Sequence, residues 1–282
     1  MSDTENRSDF RIISTFLYDP RLPAFIAQHG DNHYPEPRDS PCYLIKFQLD
    51  RMLDAATHFK WEKVVALLRP DWEDLLKIIM SEIPNRDSLW RVSLHLDIDG
   101  HHCLSTTPVE LSTPLSFYLP RSLNERPGHV DVRPWQLFVD SEHTIPSPFT
   151  LYKTTERQHC NIAFNRGILG QSHDSTTCDV LLLNPHGEVM EATRTTPYFQ
   201  RPRIKDVSTD SLVTDLSWVT PPLSSGGNAS TTRRFALEAG LCLEEVVRVQ
   251  DLVDGELCWL SNAVRGFVPA QINLSQKRSE ET

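Results

Sequence analysis

The six cysteines of this 282-residue chain include no Cys-x-x-Cys pair. That excludes the usual zinc-ribbon and redox motifs, and Cys42, Cys103, Cys160, Cys178, Cys242 and Cys258 read as free thiols in a reducing compartment rather than a disulfide framework. No apolar run approaches the roughly 20 residues that cross a bilayer. The opening Met1-Ser2-Asp3-Thr4-Glu5-Asn6-Arg7-Ser8 is polar and partly acidic. It lacks both the apolar centre of a secretory signal and the acid-poor character of a transit peptide, so the expected location is the cytoplasm, away from membranes. Basic charge is short as well: 28 Lys and Arg stand against 38 Asp and Glu, a net charge of −10. Non-specific nucleic-acid binding needs a basic face, and none is indicated. There is no Walker loop and no Gly-x-Ser-x-Gly elbow. The eleven histidines include no His-x-x-x-His beside a carboxylate at metal-ligand spacing, and His101-His102 follow a hairpin turn and read as exposed.

What remains is ordinary globular composition, 39% hydrophobic and 23% charged, long enough for one large domain or two modest ones. Residues 1 to 8 read as disordered, and no repeat or low-complexity segment is visible apart from the polar tail after Gln276. Phe10 to Tyr18, rich in β-branched and aromatic residues, predicts a strand ended by Asp19-Pro20. Leu49, Leu53 and Ala56 recur at helical spacing between Tyr43 and Trp61, with Arg51 among them. A second helix is predicted from about Pro70, with Asp71 and Glu73 in its first turn. Leu89 to Ile98 and His102 to Thr106 predict a hairpin about Asp99-Gly100. A short strand is expected near Ser116 to Leu119 and another over Trp135 to Val139. The serine- and proline-rich stretch Ser141 to Pro148 reads as a domain boundary. Beyond it the pattern predicts a helix over Thr154 to Ile168, a strand over Asp179 to Leu183, a tight turn at Asn184-Pro185-His186-Gly187 and a helix over Thr231 to Ala239 stopped by Gly240.

One stretch organises the rest. Phe149-Thr150-Leu151-Tyr152-Lys153-Thr154-Thr155-Glu156-Arg157 sets a lysine between an aromatic run and a Thr-Thr pair, an unusual place for a solvated side chain. Downstream follow Asp179 to Asn184, Gly187-Glu188-Val189-Met190-Glu191-Ala192-Thr193, Thr220-Pro221-Pro222-Leu223-Ser224-Ser225-Gly226, Thr231-Thr232-Arg233-Arg234 and Ser261-Asn262-Ala263-Val264-Arg265-Gly266-Phe267-Val268-Pro269. In this order they resemble the fold-type IV pyridoxal-phosphate enzymes: branched-chain aminotransferases, D-amino-acid aminotransferases and aminodeoxychorismate lyases. The local variants look most like the lyases. The resemblance is strong from Trp135 to Ile272 and looser before that.

The resemblance implies an α/β (α+β) fold in two domains, an N-terminal α/β sandwich over 1–148 and a C-terminal pseudo-barrel over 149–282, with pyridoxal 5'-phosphate between them and a homodimer as the assembly. Lys153 matches the lysine that holds the cofactor and acts as base. Glu191 matches the partner of the ring nitrogen, while Glu188 reads as a surface residue. Thr231 and Thr232, opening a helix, match a phosphate cradle built on a helix N-terminus, with the Thr232 hydroxyl as an added donor; the plain alternative is an ordinary cap. Asn262 and Ala263 match a second phosphate-side turn, and Arg51 a basic residue aimed at the phosphate. The family's usual glycine before the threonine pair is Ser230 here, and serine tolerates unusual backbone angles less well than glycine. Arg91, Arg121 and Arg157 are candidates for substrate carboxylates. The implied activity is 4-amino-4-deoxychorismate lyase, releasing pyruvate and 4-aminobenzoate for folate synthesis from a small-molecule substrate, aminodeoxychorismate. The alternatives are an aminotransferase of the same fold and a degenerate binding protein on this scaffold.

Overall fold

The computed structural model describes residues 10–29, 33–69, 72–110, 114–125, 133–169, 174–204 and 214–274. The chain is mixed α/β and builds two sheets. The β-branched and aromatic run after Phe10 forms β1 (Ile12–Tyr18), whose side chains fill a buried pleated surface. Helix α1 (Leu22–His29) precedes α2 (Ile45–His58), in which Leu49, Met52, Ala55 and Ala56 face the core. Gln48 and Arg51 of α2 are buried too, and apolar packing alone does not account for them. Helices α3 (Glu62–Leu68) and α4 (Trp72–Ser81) lead to the hairpin of β2 (Trp90–Leu96) and β3 (His102–Pro108). Strand β2 pairs antiparallel with both β1 and β3, giving a small sheet of order β1-β2-β3.

The second sheet opens with β4 (Trp135–His143). Helices α5 (Pro148–Leu151) and α6 (Gln158–Gly167) follow, then β5 (Cys178–Leu183), β6 (Val189–Ala192), β7 (Thr196–Ile204) and β8 (Thr214–Thr220). Helix α7 (Thr231–Glu238), β9 (Leu243–Glu244), β10 (Leu257–Asn262) and β11 (Gly266–Ile272) complete it. Its strand order is β6-β5-β4-β11-β10-β7-β8-β9, with β4 parallel to both β5 and β11. The sheet curls over a core that includes Leu137, Leu181, Phe199, Val219, Leu260 and Val268. A larger apolar cluster joins the two sheets, bringing Phe16 and Met52 together with Tyr198, Phe235 and Phe267.

Four details differ from expectation. Helix α3 was not expected, because in seven residues only Val64 and Leu68 are buried, too few to show a period. The strand expected near Ser116 is a 3-10 turn over Leu115–Phe117. Phe117, Tyr118 and Leu119 are all buried, so nothing alternates, and side chains rather than a neighbouring strand meet the backbone: Tyr43 Oη donates to Tyr118 O at 2.7 Å. Strand β4 runs on through Ser141–His143, so the connector begins inside a strand. The helix expected from Thr154 starts only at Gln158, because residues 153–155 are extended against the free edge of β1. There Ile13 N–H donates to Lys153 O at 3.0 Å and Thr155 N–H to Arg11 O at 2.9 Å. Residues 1 to 8, expected to be disordered, and the polar tail after Gln276 lie outside the described residues, as does the predicted helix start at Pro70 and Asp71.

Candidate active site

That extended segment positions the lysine. With its backbone tied to β1, Lys153 projects its side chain into the space between the two sheets. A hollow there is lined by Arg51, Lys153, Glu191, Thr231, Asn262 and Ala263, among others. Six of the seven residues singled out in the sequence thus meet at one place. Burial pushes the Lys153 amine well below the ordinary lysine range, and repulsion from Arg51, Arg157 and Arg91 adds to the shift, while Glu191 opposes it. The shift favours the neutral amine, the form in which a nucleophile or base acts.

Glu191 sits on β6, and its burial pushes the carboxyl up to about 7, against the opposing charge of Arg157 and a hydrogen bond from the Asn228 backbone. Its Oε1 is buried with no hydrogen-bond partner among the described residues. A buried acceptor without a donor is costly, so this oxygen is built for a donor that a ligand supplies. The loop 223–230 lies directly on β6 at this point. A Cβ on Gly227 would collide with Met190 O and stand 3.3 Å from the Glu191 Cβ. Gly227→Ala is therefore expected to lower stability by about 1–3 kcal/mol, the range for overpacking a close contact, because a backbone oxygen cannot swing aside. Thermal unfolding checks this; an unchanged midpoint would show that the loop has room to move.

The far side of the chamber is assembled from α2 and α7. Arg51 is buried, and burial followed by repulsion from Arg157 brings its guanidinium down to about 10. One terminal nitrogen donates to Gln48 Oε1 at 2.9 Å and to Ser14 Oγ at 3.4 Å, while its Nε has no partner among the described residues. Gln48 Nε2 donates in turn to Thr231 Oγ1 at 2.9 Å. This chain of contacts explains why α2 buries a glutamine and an arginine three residues apart. The first turn of α7 has no side-chain cap and offers its amides to an anion. Ser230 precedes it at φ −67° and ψ 140°, an ordinary extended conformation, so no glycine is needed there.

Thr232 behaves differently from expectation. It is fully buried and does not line the chamber. Its Oγ1 accepts from Ser261 Oγ at 2.7 Å and lies 3.0 Å from Ser230 Oγ, so the hydroxyl is engaged in a layer beneath the cradle. Asn262 likewise serves its own turn: its Oδ1 accepts from the N–H groups of Val264 and Arg265 at 3.0 and 2.8 Å. Ala263 lines the chamber beside it, and its carbonyl accepts from Leu17 N–H at 2.8 Å. Glu188 is not a free surface residue. It is partly buried and accepts from Asn184 Nδ2 at 2.9 Å and Ser225 Oγ at 3.0 Å, tying the 184–187 turn to the loop after β8.

The three candidate arginines separate clearly. Arg121 is elsewhere, donating to His29 O at 3.4 Å and lining a different hollow with Trp218. Arg157 lines the chamber but is engaged, with one terminal nitrogen 2.7 Å from Thr193 O and 3.3 Å from Cys160 Sγ. Arg91 lines a second, adjoining chamber of about 410 Å³, which shares Thr15, Lys153, Arg157, Arg194, Asn262 and Ala263 with the first. Sequence reasoning missed Ser14, Gln48 and Ser261; a polar residue one turn before a buried helical arginine was the available signal for Gln48 alone.

The amino-transferase class IV family model matches residues 43–272 of the chain. The chain belongs to the class-IV aminotransferase family. Aminodeoxychorismate lyase of Saccharomyces cerevisiae is 29% identical over 146 residues, which is 49% of this chain and 37% of that protein. The chain thus matches little more than a third of the length of this curated relative. Among solved structures, the branched-chain amino acid aminotransferase of Escherichia coli superposes with a TM-score of 0.58 at 12% identity, covering 94% of this chain and 77% of the other. A hypothetical aminotransferase from Mycobacterium tuberculosis, in a PLP-bound form, gives a TM-score of 0.52 at 16% identity over 93% and 81% of the two chains. These likenesses show the class-IV fold. Class-IV aminotransferases work with pyridoxal phosphate, and the chamber fits it: a poised amine, a buried carboxylate oxygen without a donor, and, on the α2 and α7 side, a buried guanidinium Nε without an acceptor. Among the described residues no cluster of His, Cys, Asp and Glu could hold a metal, and no helix is long and apolar enough to cross a membrane.

Proposed function

We propose that the protein is a pyridoxal-phosphate-dependent 4-amino-4-deoxychorismate lyase, releasing pyruvate and 4-aminobenzoate for folate synthesis. The observation that carries the cofactor part is the unpartnered Glu191 Oε1 in one chamber with the Lys153 amine. The likeness to the yeast lyase and the local variants Lys153-Thr154-Thr155-Glu156-Arg157 and Thr220-Pro221-Pro222-Leu223-Ser224-Ser225-Gly226 favour lyase over aminotransferase. On this reading the protein acts in the cytoplasm as a homodimer, with domains over 1–148 and 149–282.

When bound, the cofactor supplies a sink for the electrons of a breaking bond. The chain's residues do the rest. Lys153 Nζ would hold the cofactor, and when freed by the substrate amine it would accept the proton from the ring carbon bearing that amine. Its depressed proton affinity favours that acceptance only from a carbon acid made more acidic in the site, and the proton then leaves toward the departing enolpyruvyl group. Glu191 Oε1, buried without a donor, would accept from the ring nitrogen and keep it protonated. Arg51 and the α7 amides would hold the phosphate, braced by Gln48 on Thr231 and by Ser261 on Thr232.

Arg51→Met is expected to weaken cofactor binding about tenfold to hundredfold, the scale of one charge-assisted hydrogen bond, with little change in turnover at saturation. Titrating apoprotein with pyridoxal phosphate reads this directly; equal dissociation constants would remove Arg51 from the phosphate site. The function itself is tested by incubating protein with aminodeoxychorismate and no keto acid. The lyase yields 4-aminobenzoate and pyruvate in equal amounts over many turnovers. Product that stops after one equivalent per site and resumes only with a keto acid identifies an aminotransferase instead. The degenerate-protein alternative leaned on Ser230, whose ordinary backbone angles give it no support.

A further inference from the structure

We infer that Arg91 and Arg265 form a two-armed clamp for a substrate carrying two carboxylates, one arm rising from the small sheet and one from the large. The inference rests on the lyase reading above and assigns the residues that recognise its substrate. The adjoining chamber is lined by Arg91, Arg157, Arg194, Arg265 and Lys153, and no aspartate or glutamate lines it. In a chain of net charge −10 this is a local excess of positive charge without compensation.

The four arginines are not equivalent. Arg157 is held by Thr193 O and Cys160 Sγ. Arg194 donates to Ser175 O at 3.0 Å and to Cys178 O, and its guanidinium lies 4.2 Å over the Phe164 ring. Arg91 and Arg265 make no side-chain hydrogen bond or ion pair among the described residues, although they line the same chamber as the reacting amine. Their backbones are rigid. Arg91 sits on β2, the central strand of the small sheet. Arg265 sits on the β10–β11 turn, where Asn262 Oδ1 accepts its N–H at 2.8 Å and Tyr118 Oη donates to Val264 O at 2.8 Å. Gly266 follows at φ +69°, and a Cβ there would stand 2.7 Å from Phe117 O, so the turn is pinned from below.

A guanidinium fork on a rigid stem matches a carboxylate in two parallel hydrogen bonds. Two forks, one on each wall, suit a ring that carries one carboxylate directly and another on a side arm. A substrate with a single carboxylate leaves one fork without an anion, so the clamp also discriminates against simple amino acids.

Chorismate is the probe: it carries both carboxylates but a hydroxyl in place of the amine, so it occupies the chamber without reacting with the cofactor. Calorimetric titration of the holoenzyme is compared for the parent, Arg91→Met, Arg265→Met and the double variant, with benzoate as a one-carboxylate control. Each single variant is expected to lose about tenfold to hundredfold in chorismate affinity and the double variant more, while benzoate responds to one substitution only. Unfolding midpoints stay near the parent, because neither arm has a partner within the protein to lose. Chorismate affinity within twofold of the parent in either single variant overturns the clamp. Loss of chorismate binding in the variants, together with no release of 4-aminobenzoate by the parent, would leave the clamp standing and sink the lyase reading.

Discussion

Lys153→Ala is expected to reduce turnover to background, because on the proposed reading both the anchor and the base are lost with one amine. Lys153→Arg is expected to fail as well, since a guanidinium does not give up its proton near neutral pH. The same change has an opposite effect on stability. The folded state depresses the affinity of Lys153 for its proton, through burial and through Arg51, Arg157 and Arg91. In the window between that depressed value and 10.5, the unfolded chain binds more protons, so the apoprotein gains stability as pH rises through it. At neutral pH the parent therefore carries a cost that Lys153→Ala removes. An apoprotein that melts higher than the parent near pH 7, by a margin that shrinks toward pH 10, is the predicted signature. A Lys153→Ala protein turning over at the parental rate would take away the centre of the site.

Glu191→Gln is expected to keep the fold and bind cofactor, yet lose roughly two to four powers of ten in turnover, the scale of one well-placed electrostatic contributor. Glu191→Asp is expected to be milder. Here too the titration has a sign. The folded value near 7 stands above the ordinary 4.5, so the folded apoprotein binds more protons between them and its stability falls as pH rises from 4.5 to 7. The full shift corresponds to about 3 kcal/mol as an upper bound. Asp179, also pushed up by burial, contributes to the slope in both proteins, so the informative quantity is the difference between parent and Glu191→Gln. Parallel stability curves, or an unchanged rate, would mean that another carboxylate serves the ring nitrogen.

The site was more legible in the sequence than its surroundings. Lys153, Glu191, Arg51 and the Thr231 turn are spread over nearly two hundred positions, yet each lies in a short stretch whose residue types the chemistry demands, and they meet in one chamber. Thr232 shows the limit. Its place in the motif is readable, but whether its hydroxyl faces a ligand or a neighbouring serine depends on Ser261, which arrives from a different strand. The same holds for Arg157 and Arg91: both are arginines near the lysine, and only the position of Thr193 O decides which one is engaged. Among the elements, α2 and β1 were readable because they are long and periodic or strongly β-branched. Helix α3 was too short to display a period, and the Leu115–Phe117 turn is buried on every side.

The contact of residues 153–155 with the edge of β1 makes reactivity a late event in folding. Ile13 and Lys153 are joined by one backbone hydrogen bond across about half the chain, so the loop they close is among the longest in the molecule. Long closures are slow because their entropy is lost before other contacts compensate. A nascent or partly unfolded chain can hold the local turns around Glu191 and Thr231, yet its lysine remains an ordinary solvated amine of high proton affinity. Only docking of the first strand desolvates it and sets it among three guanidiniums. On the proposed reading, capture of the cofactor thereby reports that the first strand has docked, and a chain from which β1 (Ile12–Tyr18) has been removed should remain colourless even where its large sheet is intact.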